Sequence, residues 1–328
     1  MSVASRAFGR IEMKTTSLPH SLDAQRKREN GGLPSRIPRP RALIVLSGTL
    51  HQSNPLVALQ CSLLDLPIAK GQSLLSLWHA QAAAFSGSPT FLRVVVSTEV
   101  PAPVSVPQVN IERDPSDFRG TGGTLADVCR NYDDSDWVWM ANAAQIPIMP
   151  LQELWETCSE TDGDVILWTN HKSEPVGFML MRCECLKLIS DIGYVDFKEQ
   201  ALPLIAKHHH IGVVTCRHPI VVPIRTRSEY LNALRHQHIN EPQDEENVDT
   251  PNAFAEDYRS TFSIVEEGAA VPDGCDLHDS VILKGASVSK GAMVIRSIVG
   301  RGATVAAGER VIDSVRAGPP IVSGGGQG

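Results

Sequence analysis

Three consecutive stretches, Ala269–Gly285 (AAVPDGCDLHDSVILKG), Ala286–Gly302 (ASVSKGAMVIRSIVGRG) and Ala303–Pro319 (ATVAAGERVIDSVRAGP), are copies of one unit. Four columns are identical throughout: Ala269/Ala286/Ala303, Val271/Val288/Val305, Gly274/Gly291/Gly308 and Ser280/Ser297/Ser314. Two more are always aliphatic, Leu277/Val294/Val311 and Val281/Ile298/Val315. A single copy is too short to bury its own apolar residues. Stacked copies bury them against each other.

Within a copy, a small or aliphatic residue returns every five or six positions, as in Val271, Leu277, Ile282 and Val288. Glycine or polar pairs fall between. This is the rhythm of short strands broken by turns, three sides to a coil, and Ser263-Ile264-Val265 enters the same register. The pattern resembles the hexapeptide-repeat, left-handed parallel β-helix. Hexapeptide acyltransferases have longer helices and a catalytic histidine. Here His278 is the only histidine of the repeat, so the expected role is structural.

The remainder of the 328 residues has room for one more domain. A hydrophobic content of 42% supports a sizeable core, and a net charge of −7 offers no overall basic field for nucleic acid. No run of 18 apolar residues marks a membrane span. The first residues lack a signal-peptide apolar core, so a cytoplasmic location is expected. The seven cysteines are scattered, with only Cys183 and Cys185 close, and are expected to be reduced and mostly buried.

Residues 1–40 hold eight Lys/Arg against three Asp/Glu and show no periodicity. They are expected to form a disordered tail, with weak contact to an acidic partner as the alternative. Residues 41–239 read as an α/β domain. Apolar runs at 42–46, 91–96, 137–140, 165–168, 177–181 and 211–216 alternate with helical spacing at 74–85, 125–132, 151–158, 197–206 and 227–234. That alternation predicts a Rossmann-like, mainly parallel sheet with ligands at the carboxyl ends of its strands. Residues 240–261 read as an acidic linker, 262–319 as the β-helix and 320–328 as a second disordered tail.

Four segments resemble the sugar-nucleotide pyrophosphorylases, nucleotidyltransferases that make NDP-sugars from an NTP and a sugar 1-phosphate. Arg119-Gly120-Thr121-Gly122-Gly123-Thr124-Leu125 matches a glycine-rich loop before a helix. The stretch 191–200 (DIGYVDFKEQ), after the Gly177-containing strand, matches a helix start. Residues 223–231 (PIRTRSEYL) and 47–56 (SGTLHQSNPL) match two further motifs. The resemblance implies a nucleotidyltransferase domain followed by a short left-handed parallel β-helix. It implies a nucleotide at Gly48, Thr49, Gly120, Thr121, Gly122, Gly123 and Thr124, where glycines let backbone approach a base. It implies sugar or phosphate contacts from Lys172, Gly177, Lys198, Glu199 and Arg225. The plain alternatives are a tight turn with a helix cap at 120–124 and a helix-start charge pair at Lys198-Glu199.

The departures are as informative. Family chemistry needs Mg²⁺ held by two Asp carboxylates. After the 137–140 strand this chain has Ala141-Asn142-Ala143-Ala144, and Pro223 stands at the second position. Gln52 replaces the signature Arg, and Leu63 the Lys of a Lys-Pro pair. No metal ligand is therefore expected, Mg²⁺ being a cofactor only of an active form. The expectation is a weakly active or inactive relative that binds a sugar nucleotide or a partner enzyme. An active Mg²⁺-dependent pyrophosphorylase and a purely structural oligomerisation protein are the alternatives. The resemblance also implies a homo-oligomer built partly through residues 262–319, since related pyrophosphorylases often use such tails for self-assembly. The histidines at 208–210 and the acids Asp133, Asp134 and Asp136 read as solvated ends of elements rather than metal sites.

Overall fold

The computed structural model describes residues 37–50, 52–88, 90–104, 106, 109–116, 118–158, 161–240 and 262–319, with backbone alone at 14–17 and 239–240. Two compact units emerge, Met1–Gly48 with Leu77–Ala143 and Pro147–Val221, and Thr49–Ser76 with Ala144–Ile146 and Val222–Gly328.

Ala42–Ser47 is buried at every position, as a strand covered on both faces must be. It is β2 of an eight-stranded sheet. The others are β1 (Lys14–Ser17), β3 (Leu92–Val96), β4 (Asn110–Arg113), β5 (Trp137–Asn142), β6 (Val165–Thr169), β7 (Pro175–Arg182) and β8 (Ile211–Thr215). Their order is β1-β8-β6-β7-β5-β2-β3-β4. Every neighbouring pair is parallel except those made by β7, which runs antiparallel to β6 and β5. The sheet is mainly parallel, as expected. Within residues 1–40, expected as tail, Lys14–Ser17 adds the edge strand β1, because β8 otherwise leaves its backbone unpaired. The rest of that segment, the linker 241–261 and the tail 320–328 lie outside the described residues.

Helices α1 (Leu74–Ser86), α2 (Gly120–Cys129), α3 (Leu151–Thr157) and α4 (Leu202–Ile205) follow strands in alternation. One sheet face carries Ala42, Ile44, Leu46 and Met140 against Leu125, Phe197, Leu202 and Ile205. An aromatic cluster also lies in this unit. Phe178 stacks on Trp78 at 6.4 Å between centroids and meets Trp168 edge-on at 5.6 Å. α2 begins at Gly120, five residues before the expected start at 125, so the glycine-rich stretch is its first turn and not a loop. All seven cysteines are free thiols, and five are buried. Burial pushes Cys158 and Cys216 up to about 12. Such thiols are poor nucleophiles.

In the second unit, α5 (Arg227–Asn240) accompanies the repeat rather than the α/β region to which the sequence assigned it. Residues 262–319 form a β-helix-like stack. Its strands are β9 (Ser263–Val265), β10 (Asp276–His278), β11 (Ser280–Ile282), β12 (Ser287–Val288), β13 (Met293–Ile295), β14 (Ile298–Val299), β15 (Thr304–Val305), β16 (Arg310–Ile312) and β17 (Val315–Arg316). They make three parallel sheets, β9-β11-β14-β17, β10-β13-β16 and β12-β15. The repeat columns are the pairing register: Leu277 faces Val294 and Val294 faces Val311, Val281 faces Ile298 and Ile298 faces Val315, and Val288 faces Val305.

Each coil turns three corners with left-handed backbone. Glycine fills two, Gly268/Gly285/Gly302 and Gly274/Gly291/Gly308. The third is Asp279/Arg296/Asp313, at φ 47°, 45° and 48°. Arg296 binds Asp313 through two hydrogen bonds of 2.8 and 2.6 Å, which hold the Asp313 carboxyl down at about 2. From α5, Arg235 pairs with Asp279, and Arg227 lies 3.3 Å from Asp313. These pairs are the reason α5 goes with the repeat.

The serines repeated from copy to copy form a ladder inside the stack. Ser280 Oγ donates to backbone oxygens of His278 and Val294 and accepts from Ser297 N–H at 3.2 Å. Ser297 Oγ repeats this with Ile295, Val311 and Ser314 N–H. Ser297 is fully buried. Ser297→Ala removes the acceptor of the half-buried Ser314 N–H and two carbonyl contacts, so a loss of about 1 kcal/mol is expected. Urea unfolding of the full chain, followed by circular dichroism, reads this, and an unchanged midpoint would show the ladder to be energetically idle.

The stack is stopped chemically. Ser289 N–H donates to Val305 of the next coil, but its counterpart Ala306 N–H donates to the Glu309 carboxylate at 2.9 Å. The corner column that holds Gly268, Gly285 and Gly302 has Pro319 in its fourth place, and proline cannot take a positive φ.

Candidate functional site

In the first unit the chain runs from β2 outward to β3 and β4, then returns to β5 on the other side of β2. That reversal makes the carboxyl ends of β2 and β5 a topological switch point, the usual ligand position in such sheets. Gly48 follows β2 there and is exposed, and a Cβ built on it meets nothing within 4 Å. Across from it, Ala143 N–H donates to Leu46 C=O at 2.9 Å and closes the end of β5. Asn142 is exposed at this end, while Ala143 is buried.

The first turn of α2 is occupied by the chain itself. Gly122 N–H donates to Val195 C=O at 2.9 Å and Gly123 N–H to the same oxygen at 3.4 Å. Val195 N–H returns a bond to Arg119 C=O at 2.8 Å, and Phe197 N–H donates to Thr121 Oγ1 at 3.1 Å. A Cβ on Gly120, at φ +69°, would stand 2.6 Å from Val195 O, and one on Gly122 3.0 Å from it. The close backbone approach that these glycines permit is thus an approach to residues 195–197. Three glycines at the start of a helix cost helical stability, and this contact is the compensation.

Arg119 secures the arrangement. Its side chain is 6% exposed; Nε donates to Asp127 Oδ2 at 2.9 Å, and Nη1 and Nη2 to the Gly193 and Ser190 carbonyls at 2.8 Å each. Thr124, also buried, donates to Asp114 Oδ2 at 2.7 Å. Arg119, Asp127, Asp114 and Val195 were not among the sequence candidates. The eight-residue interval from Arg119 to Asp127, two helical turns, was the available signal.

The 120–124 turn and the pair Lys198-Glu199 are brought together through Val195 and Phe197. Asp196 caps the second turn, accepting Glu199 N–H at 2.9 Å, and both Lys198 and Glu199 are exposed. Lys172 is exposed in the turn between β6 and β7, where Asn170 Oδ1 accepts its N–H at 2.9 Å. Gly177 sits on β7 at φ +76°, within the irregularity of that strand's pairing to β6. Thr49 and Arg225 belong to the second unit, both exposed, and Arg225 N–H donates to Glu229 at 2.8 Å.

The residues do not fit a Mg²⁺ of the kind that pyrophosphorylase chemistry requires. Asn142, Ala143 and Ala144 supply no carboxylate after β5, and Pro223 supplies none at the second position. Among the described residues no three His, Cys, Asp or Glu side chains converge as a metal site. No described helix is long and apolar enough to cross a membrane.

No protein-family profile matches the chain, and no curated protein does. Among solved structures it is similar to HddC from Yersinia pseudotuberculosis at 14% identity and a TM-score of 0.44, over 60% of this chain and 99% of that one.

Proposed function

We propose that this protein is a nucleotidyltransferase-like member of nucleotide-sugar metabolism that binds a sugar nucleotide, or a partner enzyme of that metabolism, without efficient pyrophosphorylase chemistry. One observation carries the reading: at the carboxyl end of β5, where a metal-holding Asp would stand, the chain has Asn142-Ala143-Ala144. A triphosphate at this position would meet no carboxylate-held cation, and its charge would stay unneutralised. Binding asks for less. The open space over Gly48 suits a ligand at the carboxyl ends of β2 and β5, and a neutral amide at Asn142 repels no phosphate. Gly122 and Gly123 already donate to Val195 O, so a base at this turn would have to replace those two bonds.

Pyrophosphate release from NTP and sugar 1-phosphate pairs, measured with Mg²⁺, is expected to stay at background. Turnover of about 1 per second or faster would establish an active enzyme instead. In a thermal-shift screen, an NDP-sugar at 100 times its dissociation constant adds roughly 2.7 kcal/mol. If no nucleotide or NDP-sugar stabilises the protein, ligand binding is removed, and only partner binding or an assembly role is left.

A further inference from the structure

Two short loops leave the sheet side by side. β6 and β8 are parallel neighbours, and their ladder ends with Thr215 opposite Thr169 and Cys216 N–H donating to Thr169 C=O at 2.8 Å. The chain leaves β6 through Asn170-His171-Lys172-Ser173 and β8 through Cys216-Arg217-His218-Pro219. One strand spacing, about 4.8 Å, separates the two exits. His171, Lys172, Arg217 and His218 are all exposed. Both loops are held in shape. Asn170 Oδ1 accepts the Lys172 and Glu174 N–H at 2.9 Å each, and Ser173, at φ 60°, donates its N–H to Asn170 C=O at 2.9 Å. The second loop is pinned at its start by Cys216 and at its end by Ile220, whose C=O accepts the Ile148 and Met149 N–H at 2.9 and 3.1 Å. Charge here runs against that of the whole protein. In a chain of net −7, the sequence from Gln200 to Ser228 has no Asp or Glu, and Glu174 is the sole acid between Val165 and Arg182. The Glu174 carboxylate is already engaged by Asn170 Nδ2 at 2.9 Å.

We propose that the loops 170–174 and 216–219 form an anion site for a phosphate group at the carboxyl ends of β6 and β8. Arg217 supplies a planar fork that fits two phosphate oxygens, Lys172 a compact ammonium, and His171 and His218 ring N–H donors. Two formal cations beside one engaged carboxylate favour a dianion over a monoanion. The patch is only two loops wide, so it suits one phosphate group. A long polyanion would run onto a protein whose net charge repels it. Carboxyl ends of parallel strands are the usual place for ligands in such sheets, and preformed loops spare the cost of ordering on binding. The inference rests on these loops alone and holds whether or not a nucleotide binds at the ends of β2 and β5.

Isothermal titration of the full chain with inorganic phosphate, glucose 1-phosphate and acetate, at one fixed ionic strength, tests the site. Phosphate is expected to bind with a Kd of about 1 mM or below, and acetate at least about tenfold more weakly. Lys172→Ala with Arg217→Ala should weaken phosphate by at least about tenfold, while Lys172→Arg, which keeps the charge, retains binding. Lys187→Ala with Lys207→Ala removes the same charge from exposed positions elsewhere in the unit and should leave binding unchanged. The substituted side chains are exposed, so urea midpoints should match wild type throughout. Glucose 1-phosphate bound more tightly than phosphate would identify a sugar phosphate as the source of the group, and equal affinities a free phosphate. No phosphate binding up to about 10 mM would overturn the proposal. Equal losses in the two double variants would reduce it to a net-charge effect, and acetate binding as well as phosphate would remove the phosphate assignment.

Discussion

Arg119→Ala is expected to destabilise the first unit by about 3–5 kcal/mol, the usual cost of removing one partner from a buried ion pair. Its guanidinium is shared among Asp127, Gly193 and Ser190, and Asp127 is itself 9% exposed at its side chain. Truncation leaves that carboxylate paired with Arg130, whose side chain is 62% exposed. All five tryptophans, Trp78, Trp137, Trp139, Trp155 and Trp168, lie in the first unit. Intrinsic fluorescence in urea therefore reports that unit alone. A lower midpoint at unchanged slope is the expected result. A loss below about 1 kcal/mol, the range of exposed pairs, would mean that water already shares the site.

Gly120→Val should be comparably damaging for a different reason. The position needs φ +69°, and its Cβ would lie 2.6 Å from Val195 O and 2.9 Å from Val195 C. A β-branched residue in that conformation is strained by about 1–3 kcal/mol before any clash is counted. Gly122→Ala, with its nearest contact at 3.0 Å, should cost less. Gly48→Ala, facing open space, should fall within about 0.5 kcal/mol of wild type. The same fluorescence titration ranks the three. Equal losses at Gly48 and Gly120 would show that the glycines matter for backbone freedom in general and not for contact with residue 195.

The repeat was almost fully legible because its chemistry is local and periodic. Residues that agree in sequence columns face one another one coil apart, and glycine announces two of the three corners. The third corner, Asp279/Arg296/Asp313, was hidden because its left-handed backbone is carried by charged residues. Its partners Arg227 and Arg235 come from α5, which reads as part of another domain. The strands of the sheet were visible as continuous apolar runs. β1 was not, since Lys-Thr-Thr-Ser has no apolar content and owes its conformation to an unpaired neighbour. The start of α2 was misplaced for a related reason: glycine argues against helix, and only the contact with Val195 explains three of them in a first turn. Family likeness drew attention to Gly120–Thr124 as a place for a base. The geometry assigns the donors of Gly122 and Gly123 to the chain itself, and no property of the isolated sequence could have shown that.

The stop at Pro319 bears on how such a stack changes length over generations. A tandem array grows most readily by duplicating one of its own units. An extra copy inserted at Ala286 or Ala303 would inherit glycine at two of its three corners and a serine for the ladder, and would pass unnoticed by the coils around it. A copy appended after Pro319 would begin from a residue that cannot turn the corner, and the Ala306 amide, whose counterpart Ser289 binds the next coil, is already satisfied by Glu309. Growth is therefore open within the array and closed at its end. Comparison of lineages should find coil number varying upstream of Pro319, with Pro319 and Glu309 travelling together in the last coil.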